Sequence, residues 1–257
     1  MYIKQIRNAT IVVDYAGKKF LIDPMLAEKG AYPPPELGPA SNAPQGDQNN
    51  PLVSLPTSIE NIISVDAVIV THLHSDHWDD AAKAALPKEI KIFAQNEEDA
   101  TEIRNAGFQN VEALQEDTVF EGIKIIKTKG QHGRGEILNL IGLVSGVIFK
   151  HSTEKTLYVA GDTVWYEGIN EEIDTHKPEI IVVNAGDNQF IQGGSLIMGK
   201  DDVYEVNKAA PNAKIIAVHM EAIHHWTLSR EELKSFINEK GISSNILVPD
   251  DGESYSF

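Results

Sequence analysis

Short apolar runs punctuated by polar turns dominate the chain. Ile6 to Val13 is rich in β-branched residues and predicts a strand. Lys18 to Ile22 predicts a second after the turn signal Tyr15-Ala16-Gly17, so the pair reads as a hairpin ending at Asp23-Pro24. Val65 to Val70 and Ile90 to Ala94 read as buried strands. Between them, Asp79 to Leu86 predicts a helix stopped by Pro87. Asn96 caps a further helix that runs to Ala106 and stops at Gly107. Several strands fall between Val111 and Phe149, broken by the polar turn Gly130 to Gly135. Thr156 to Ala160, Ile180 to Val183, Lys214 to Val218 and Ile246 to Val248 complete the strands. They are separated by a helical stretch leading to Pro178, a helix Asp201 to Ala210, and a helix Ser229 to Lys240 with a Ser229/Glu232 capping box.

Strands dominate the early half and strand–helix units follow, which suits a layered α/β or α+β sandwich. No repeat or linker interrupts residues 1–257, so a single domain is expected. The segment Pro24 to Pro56 stands apart. It holds eight of the chain's 12 prolines and reads as a long loop, either a cover for an active site or a surface excursion.

Composition narrows the function. Lys+Arg is 22 against Asp+Glu 38, a formal net charge of −16. That argues against nucleic acid as a partner, because such affinity comes largely from cations on phosphates. It argues equally against docking on an anionic membrane. The chain has no cysteine, which removes disulfides, thiolate nucleophiles, cysteine-ligated zinc and iron–sulfur clusters. Met1 to Thr10 lacks a signal-peptide core, and Ile137 to Phe149 is too short and too interrupted by glycine to span a bilayer. A cytoplasmic protein is expected.

The chemistry concentrates in Thr71-His72-Leu73-His74-Ser75-Asp76-His77, directly after a predicted strand. On an extended backbone His72 and His74 point the same way and can share one metal. Asp76 and His77 follow on a turn and can reach a second point nearby. Imidazole and carboxylate together suit zinc, manganese or iron.

This His-x-His-x-Asp-His run resembles the signature of metallo-β-lactamase-fold hydrolases. Later residues fall in the same order: His132 in Gly130-Gln131-His132-Gly133, Asp162 in Ala160-Gly161-Asp162-Thr163, and His219 closing the strand Ile215 to Val218. The opening Leu21-Ile22-Asp23-Pro24 is similar too. The resemblance implies a four-layer αββα sandwich holding two divalent ions, zinc or manganese, with iron as an alternative. His72, His74 and His132 would hold one, Asp76, His77 and His219 the other, and Asp162 would bridge. Two such ions about 3.5–4 Å apart share a water, lower its pKa toward ~7, and direct the bridging hydroxide at an electrophilic centre. Asp76 would orient the nucleophile and move its proton. Asp23 is a candidate partner for a ligand histidine, or a carboxylate that ties down a turn.

Three segments resemble one branch, the metal-dependent hydrolases that include L-ascorbate-6-phosphate lactonase. They are His219-Met-Glu-Ala, Leu228-Ser-Arg-Glu-Glu-Leu233 and Val248-Pro-Asp-Asp-Gly-Glu253. This implies a small polar ester, lactone or phosphoester substrate. Arg134, two residues from His132, is a candidate for a substrate carboxylate or phosphate, or an exposed arginine. His225 competes with His219 as the last ligand or contacts substrate. Gly186 to Lys200, with Gln192-Gly193-Gly194-Ser195, lines the site or is a plain turn. Trp78 walls the site or packs in the core, and His151 and His176 read as surface residues. The competing functions are a nucleic-acid phosphodiesterase, an iron redox protein and a non-catalytic metal-dependent regulator. A small-molecule substrate is expected, and a homo-oligomer remains open.

Overall fold

The computed structural model describes residues 1–33, 43, 45–190 and 193–257. The first sheet contains Tyr2–Arg7 (β1), Thr10–Tyr15 (β2), Lys18–Ile22 (β3), Ala67–Val70 (β4), Lys91–Ala94 (β5) and Asn110–Ala113 (β6). The second contains Val119–Phe120 (β7), Ile123–Lys129 (β8), Ser145–Lys150 (β9), Leu157–Val159 (β10) and Ile180–Asn184 (β11). Gln189–Phe190 (β12) and Gly194–Ser195 (β13) form a small ribbon. Lys214–Val218 (β14) and Ile246–Leu247 (β15) extend the second sheet, and Ser254–Ser256 (β16) returns to edge the first. The helices are Ile59–Ile62 (α1), Asp80–Ala85 (α2), Glu97–Asn105 (α3), Glu167–His176 (α4), Lys200–Ala209 (α5) and Arg230–Glu239 (α6).

The two large sheets have the orders β16-β1-β2-β3-β4-β5-β6 and β15-β14-β11-β10-β9-β8-β7. In each, a hairpin-built antiparallel part continues into parallel strands joined by helical crossovers. The period of two along each strand then dictates the layers. Phe20, Ile22, Ala67 and Ile69 face Val147, Phe149, Ile180 and Val182 of the other sheet. The alternate residues Leu21, Val68 and Val70 pack outward under Ala82, Ala100 and Ile103 of α2 and α3. On the far side Ile181, Val183, Ile215 and Ala217 pack under Ile169, Val203, Val206 and Leu233 of α4, α5 and α6. Strands buried on both faces read as continuous apolar runs for this reason. The architecture is the expected four-layer αββα sandwich.

One predicted strand is two. Ile6 to Val13 is broken at Asn8-Ala9, where Asn8 adopts φ 56° and turns β1 into β2. Asparagine tolerates the left-handed region, so a two-residue turn forms inside an apolar run. The apolar stretch Ile137 to Phe149 is divided too: it begins inside a 3-10 turn, Gly135–Asn139, and continues through a loop into β9. Helix boundaries agree to within one residue at each end for α2, α3, α5 and α6. Asn96 caps α3 through Asp99 N, and Ser229 and Glu232 form the capping box of α6. Of the proline-rich loop, residues 34–42 and 44 lie outside the described residues, as does Gln192. Trp78 is a core residue, packed against Phe108 at 5.5 Å between ring centroids.

Tyr15 sits in the layer between the sheets and donates its hydroxyl to the carbonyls of Phe149 (3.1 Å) and Lys155 (2.9 Å). Burial pushes this phenol up to about 12. The folded chain therefore holds the proton more tightly than the unfolded chain, and stability falls as pH climbs from about 10 toward 12. Tyr15→Phe is expected to lose part of this alkaline decline and to cost about 1 kcal/mol at neutral pH. Denaturant titrations across that range check both; a decline of undiminished size in the variant removes Tyr15 as its source.

Candidate metal centre

The chemically active side chains sit where strands end. His72 follows β4, His132 follows β8, Asp162 follows β10 and His219 follows β14, all at one edge of the sandwich. In open α/β sheets such carboxyl ends are where ligands bind, because loops there diverge and leave a crevice. After β4 the chain makes no helix until α2. A turn closed by His77 N and Trp78 N on His74 O brings the motif back on itself. The rings of His72 and His74 come within 4.4 Å and those of His72 and His77 within 4.1 Å.

Three overlapping sets of ligand atoms result, each with members within 4.8 Å of one another: His72, His74 and His132; His72, His77 and Asp162; and Asp76, His77 and His219. Asp162 lies between the first and third. Its Oδ2 is 3.2 Å from His77 Nε2, 3.5 Å from His132 Nε2 and 3.8 Å from His72 Nε2, while Oδ1 is 3.6 Å from His219 Nε2. Asp76 Oδ2 is 3.1 Å from His219 Nε2 and 3.7 Å from His77 Nε2.

The outer nitrogens fix which inner nitrogens are free. His77 Nδ1 donates to Asp23 Oδ2 at 2.9 Å, His132 Nδ1 to Leu196 O at 3.0 Å and His74 Nε2 to Ile141 O at 3.0 Å. Thr71 Oγ1 gives its proton to Asp23 Oδ2, so it accepts from His72 Nδ1 at 3.2 Å. These bonds occupy one nitrogen of each of four rings and leave the other facing inward, where a metal would take it. His72 Nε2 is buried with no hydrogen-bond partner, and His77 and His219 bring Nε2 atoms to 3.2 Å. Unpartnered buried nitrogen facing carboxylate oxygen fits a divalent cation.

The electrostatics agree. Burial, with His77 and His74 alongside, holds His72 well below the ordinary histidine range. Burial also opposes charge on His77, but Asp162, Asp76 and Asp23 outweigh it and push His77 well above that range. Asp76 and Asp162 would be raised by burial, yet the surrounding histidines hold both well below the carboxylate range. The cluster therefore keeps its carboxylates ionised.

Residues outside the sequence motif hold this cluster. Asp23, at φ 48°, takes both Thr71 N and Thr71 Oγ1 at 2.7 Å as well as His77. Asn184 Nδ2 donates to Asp162 Oδ1 at 2.6 Å. Asn8 is not evident from the sequence, although an asparagine inside an apolar run was its only signal. Its Nδ2 donates to Asp76 O at 3.0 Å and its carbonyl accepts His219 N at 2.9 Å. His219 itself adopts φ 59°, and Gly186 lies so close beneath its carbonyl that a Cβ there would clash. Behind His219, Arg230 joins Glu221 and Asp251, which ties the three C-terminal segments into one partly buried, ion-paired brace.

A cavity of about 300 Å3 opens over the cluster. His225 lines it, stacked on Phe190 at 5.0 Å, and burial takes its pKa down to about 3. It belongs to none of the three ligand sets. The proline-rich loop reaches this wall: Asn50 exchanges hydrogen bonds with His224, and Gln45 Nε2 donates to Trp226 O. Arg7 ties the two ends of that loop together, donating to the carbonyls of Met25 and Ala27 near its start and Val53 near its end. Arg134 is turned elsewhere. It pairs with Asp202 at 2.9 Å and lines a separate acidic cleft of about 660 Å3. His151 and His176 lie away from the centre, His176 beside Glu172.

A layered αββα fold carrying histidine and carboxylate donors at its strand ends defines a class of metal-dependent hydrolases. The profile of the β-lactamase superfamily domain matches residues 18–220. The UPF0173 protein YddR of Bacillus subtilis (strain 168) is 69% identical over 100% of both chains. Among solved structures, the isothiocyanate hydrolase from Delia radicum gut bacteria is 45% identical with a TM-score of 0.93, covering 100% of this chain and 99% of that one. A possible metal-dependent hydrolase from Veillonella parvula DSM 2008 is 38% identical with a TM-score of 0.94, again over 100% and 99%. The chain belongs to the β-lactamase superfamily and, within it, to the UPF0173 metal-dependent hydrolases. Among the described residues no helix is long and apolar enough to cross a membrane.

Asp23→Ala is expected to cost 10- to 100-fold in metal affinity, because His77 loses its orienting acceptor and Thr71 its anchor. Competition titration against a chelating dye measures this. Affinity within twofold of wild type removes Asp23 from the support of the centre.

Proposed function

We propose that this chain hydrolyses small uncharged electrophiles, isothiocyanates first among them, at a centre that holds two divalent cations. The observation that carries the reading is the wall of the cavity. Its described lining combines Leu140, Ile141, Phe190, Leu196 and Ile223 with neutral polar groups from Asn50, Asn188 and His225, and contains no lysine or arginine. An anionic phosphoester, or a phosphorylated lactone, finds no cation there outside the metal centre, and a net charge of −16 repels it. The 45% identity to an enzyme that acts on isothiocyanates supports the choice. An uncharged ester or lactone offers a similar electrophilic carbon and is the second reading.

His72, His74 and His132 would hold one cation and Asp76, His77 and His219 the other, with Asp162 placed to serve both. The set suits zinc, manganese or iron. Such ions supply Lewis acidity, polarising the electrophile and acidifying water. The protein's own groups do the rest. Asp76 lines the cavity and its carboxylate accepts a hydrogen bond from the attacking water. The water oxygen bonds to the central carbon of R–N=C=S, and its protons pass to nitrogen. The thiocarbamate then loses its C–N bond, giving R–NH2 and carbonyl sulfide; R–N=C=S plus H2O balances these products. The apolar wall keeps bulk water from the reacting carbon. The Asn188 amide, 3.4 Å from His225 Nε2, holds that ring beside the reactants.

The test is turnover by protein reconstituted with zinc or manganese, on 2-phenylethyl isothiocyanate, an aryl ester, a lactone and a phosphodiester. Amine release from the isothiocyanate is expected to exceed the rest, with about two metal equivalents per chain by elemental analysis. Turnover of the phosphodiester alone, or oxygen consumption by an iron-loaded form, overturns the reading. Asp76→Asn is expected to lower kcat by about 10²- to 10⁴-fold. Metal bound through His72, His74 and His132 should remain. Unchanged kcat in that variant removes Asp76 from proton transfer.

A further inference from the structure

The segment that follows His132 is built of large apolar residues which the fold leaves in water. Leu138, Leu140 and Leu143 are 39%, 82% and 77% exposed, although most large apolar side chains of the chain are buried. This is not a loose loop. Ile137 packs against Gly133, closely enough that a Cβ there would meet its Cγ2 at 2.6 Å, and it also packs on Gly193. The amides of Leu140 and Ile141 both return to Ile137 O, at 2.9 and 3.1 Å. Ile141 O takes the His74 Nε2 proton at 3.0 Å, and Leu143 O takes the Gln95 side-chain amide at 2.8 Å. The segment is pinned at both ends around an exposed leucine.

Leu140 and Ile141 also line the 300 Å3 cavity that contains His74, Asp76, His132 and Asp162. Phe190, Leu196 and Ile223 face the same space. One cavity thus joins a polar floor to an apolar wall, and the most exposed part of that wall is Leu140. Its volume is at the small end of ligand clefts. Exposed apolar surface beside a reactive floor is recovered only if something apolar covers it.

We infer that residues 137–143 form a substrate-selecting wall, with Leu140 and Ile141 receiving the alkyl or aryl group of an uncharged electrophile whose reactive carbon lies over the metal centre. This rests on the reading of the site as a hydrolase of such electrophiles. It names what that reading leaves open: the substrate carries an apolar substituent of several carbons, and the wall discriminates by its size. The pinning of Ile141 to His74 sets the distance between substituent and reacting carbon, since the wall cannot move without its hold on that ligand.

Two measurements test it. The first is the ratio of kcat/KM for 2-phenylethyl over methyl isothiocyanate. Wild type is expected to gain up to about fourfold for each buried methylene. In Leu140→Ser, an exposed position where folding is not at stake, that ratio falls at least tenfold, mainly through KM. The second uses inert probes, N-(2-phenylethyl)acetamide and N-methylacetamide, titrated calorimetrically into the metal-loaded protein. Wild type is expected to prefer the larger probe at least tenfold, and Leu140→Ser to lose most of that preference. Retention of both ratios in the variant overturns the assignment of the wall. A shift of Leu140→Ser from dimer to monomer by light scattering, with both ratios kept, also overturns it and gives the leucines to a second copy of the chain. Absence of isothiocyanate turnover in wild type, with the probe preference present and lost in the variant, instead removes the reaction and leaves the wall standing.

Discussion

The site depends on one carboxylate that is not in its sequence motif. Asp23 ends the third strand of the first sheet and takes the Thr71 amide, the Thr71 hydroxyl and the His77 imidazole together. Through Thr71 it also sets His72. A single buried carboxylate therefore anchors the end of the fourth strand, the exit of the histidine run, and the inward nitrogens of His77 and His72. Burial of a lone carboxylate would be costly, and here three donors offset that cost. The positive φ of Asp23 is strain that these bonds hold in place.

The same logic extends outward. Arg7, fully buried, answers three backbone carbonyls of the loop that leaves Asp23, and burial brings its guanidinium down to about 10. Asn8 bridges the first hairpin to Asp76 and His219. Arg230, Glu221 and Asp251 brace the turn that carries His219. Of these, Asn8 joins the two sheets, since Asp76 follows a strand of the first and His219 a strand of the second. The sandwich supplies rigidity through its three apolar layers, and these polar ties convert that rigidity into positions for donor atoms.

The cavity combines two environments that chemistry needs at once. Its floor gathers histidines and ionised carboxylates that are costly to bury unless a cation joins them. Its wall is apolar and uncharged, which lowers the local dielectric and strengthens every interaction on the floor. Leu140 and its neighbours extend that wall into solvent, at odds with the burial of apolar residues elsewhere in the chain.

Much of this was written in the chain. Apolar runs placed the strands and capping and stop residues placed the helices, because burial on both sheet faces leaves continuous apolar runs and helix ends need Asn, Ser, Gly or Pro. The histidine run was legible because metal ligation demands those residue types at that spacing, and strand ends are where sites form. His132, Asp162 and His219 were legible only in order, each weak alone. Tertiary structure decided the rest. Asn8 looks like an interruption until the hairpin brings it to Asp76, across 68 residues. Arg134 lies two positions from a ligand candidate, yet the backbone turns its side chain to Asp202 in another cleft. Leu138 to Leu143 belongs to an apolar stretch of the sequence, and only the fold shows that Leu138, Leu140 and Leu143 are exposed. Sequence sets residue type and local period; which side chains meet across long separations depends on how two sheets pack, and no local pattern encodes that.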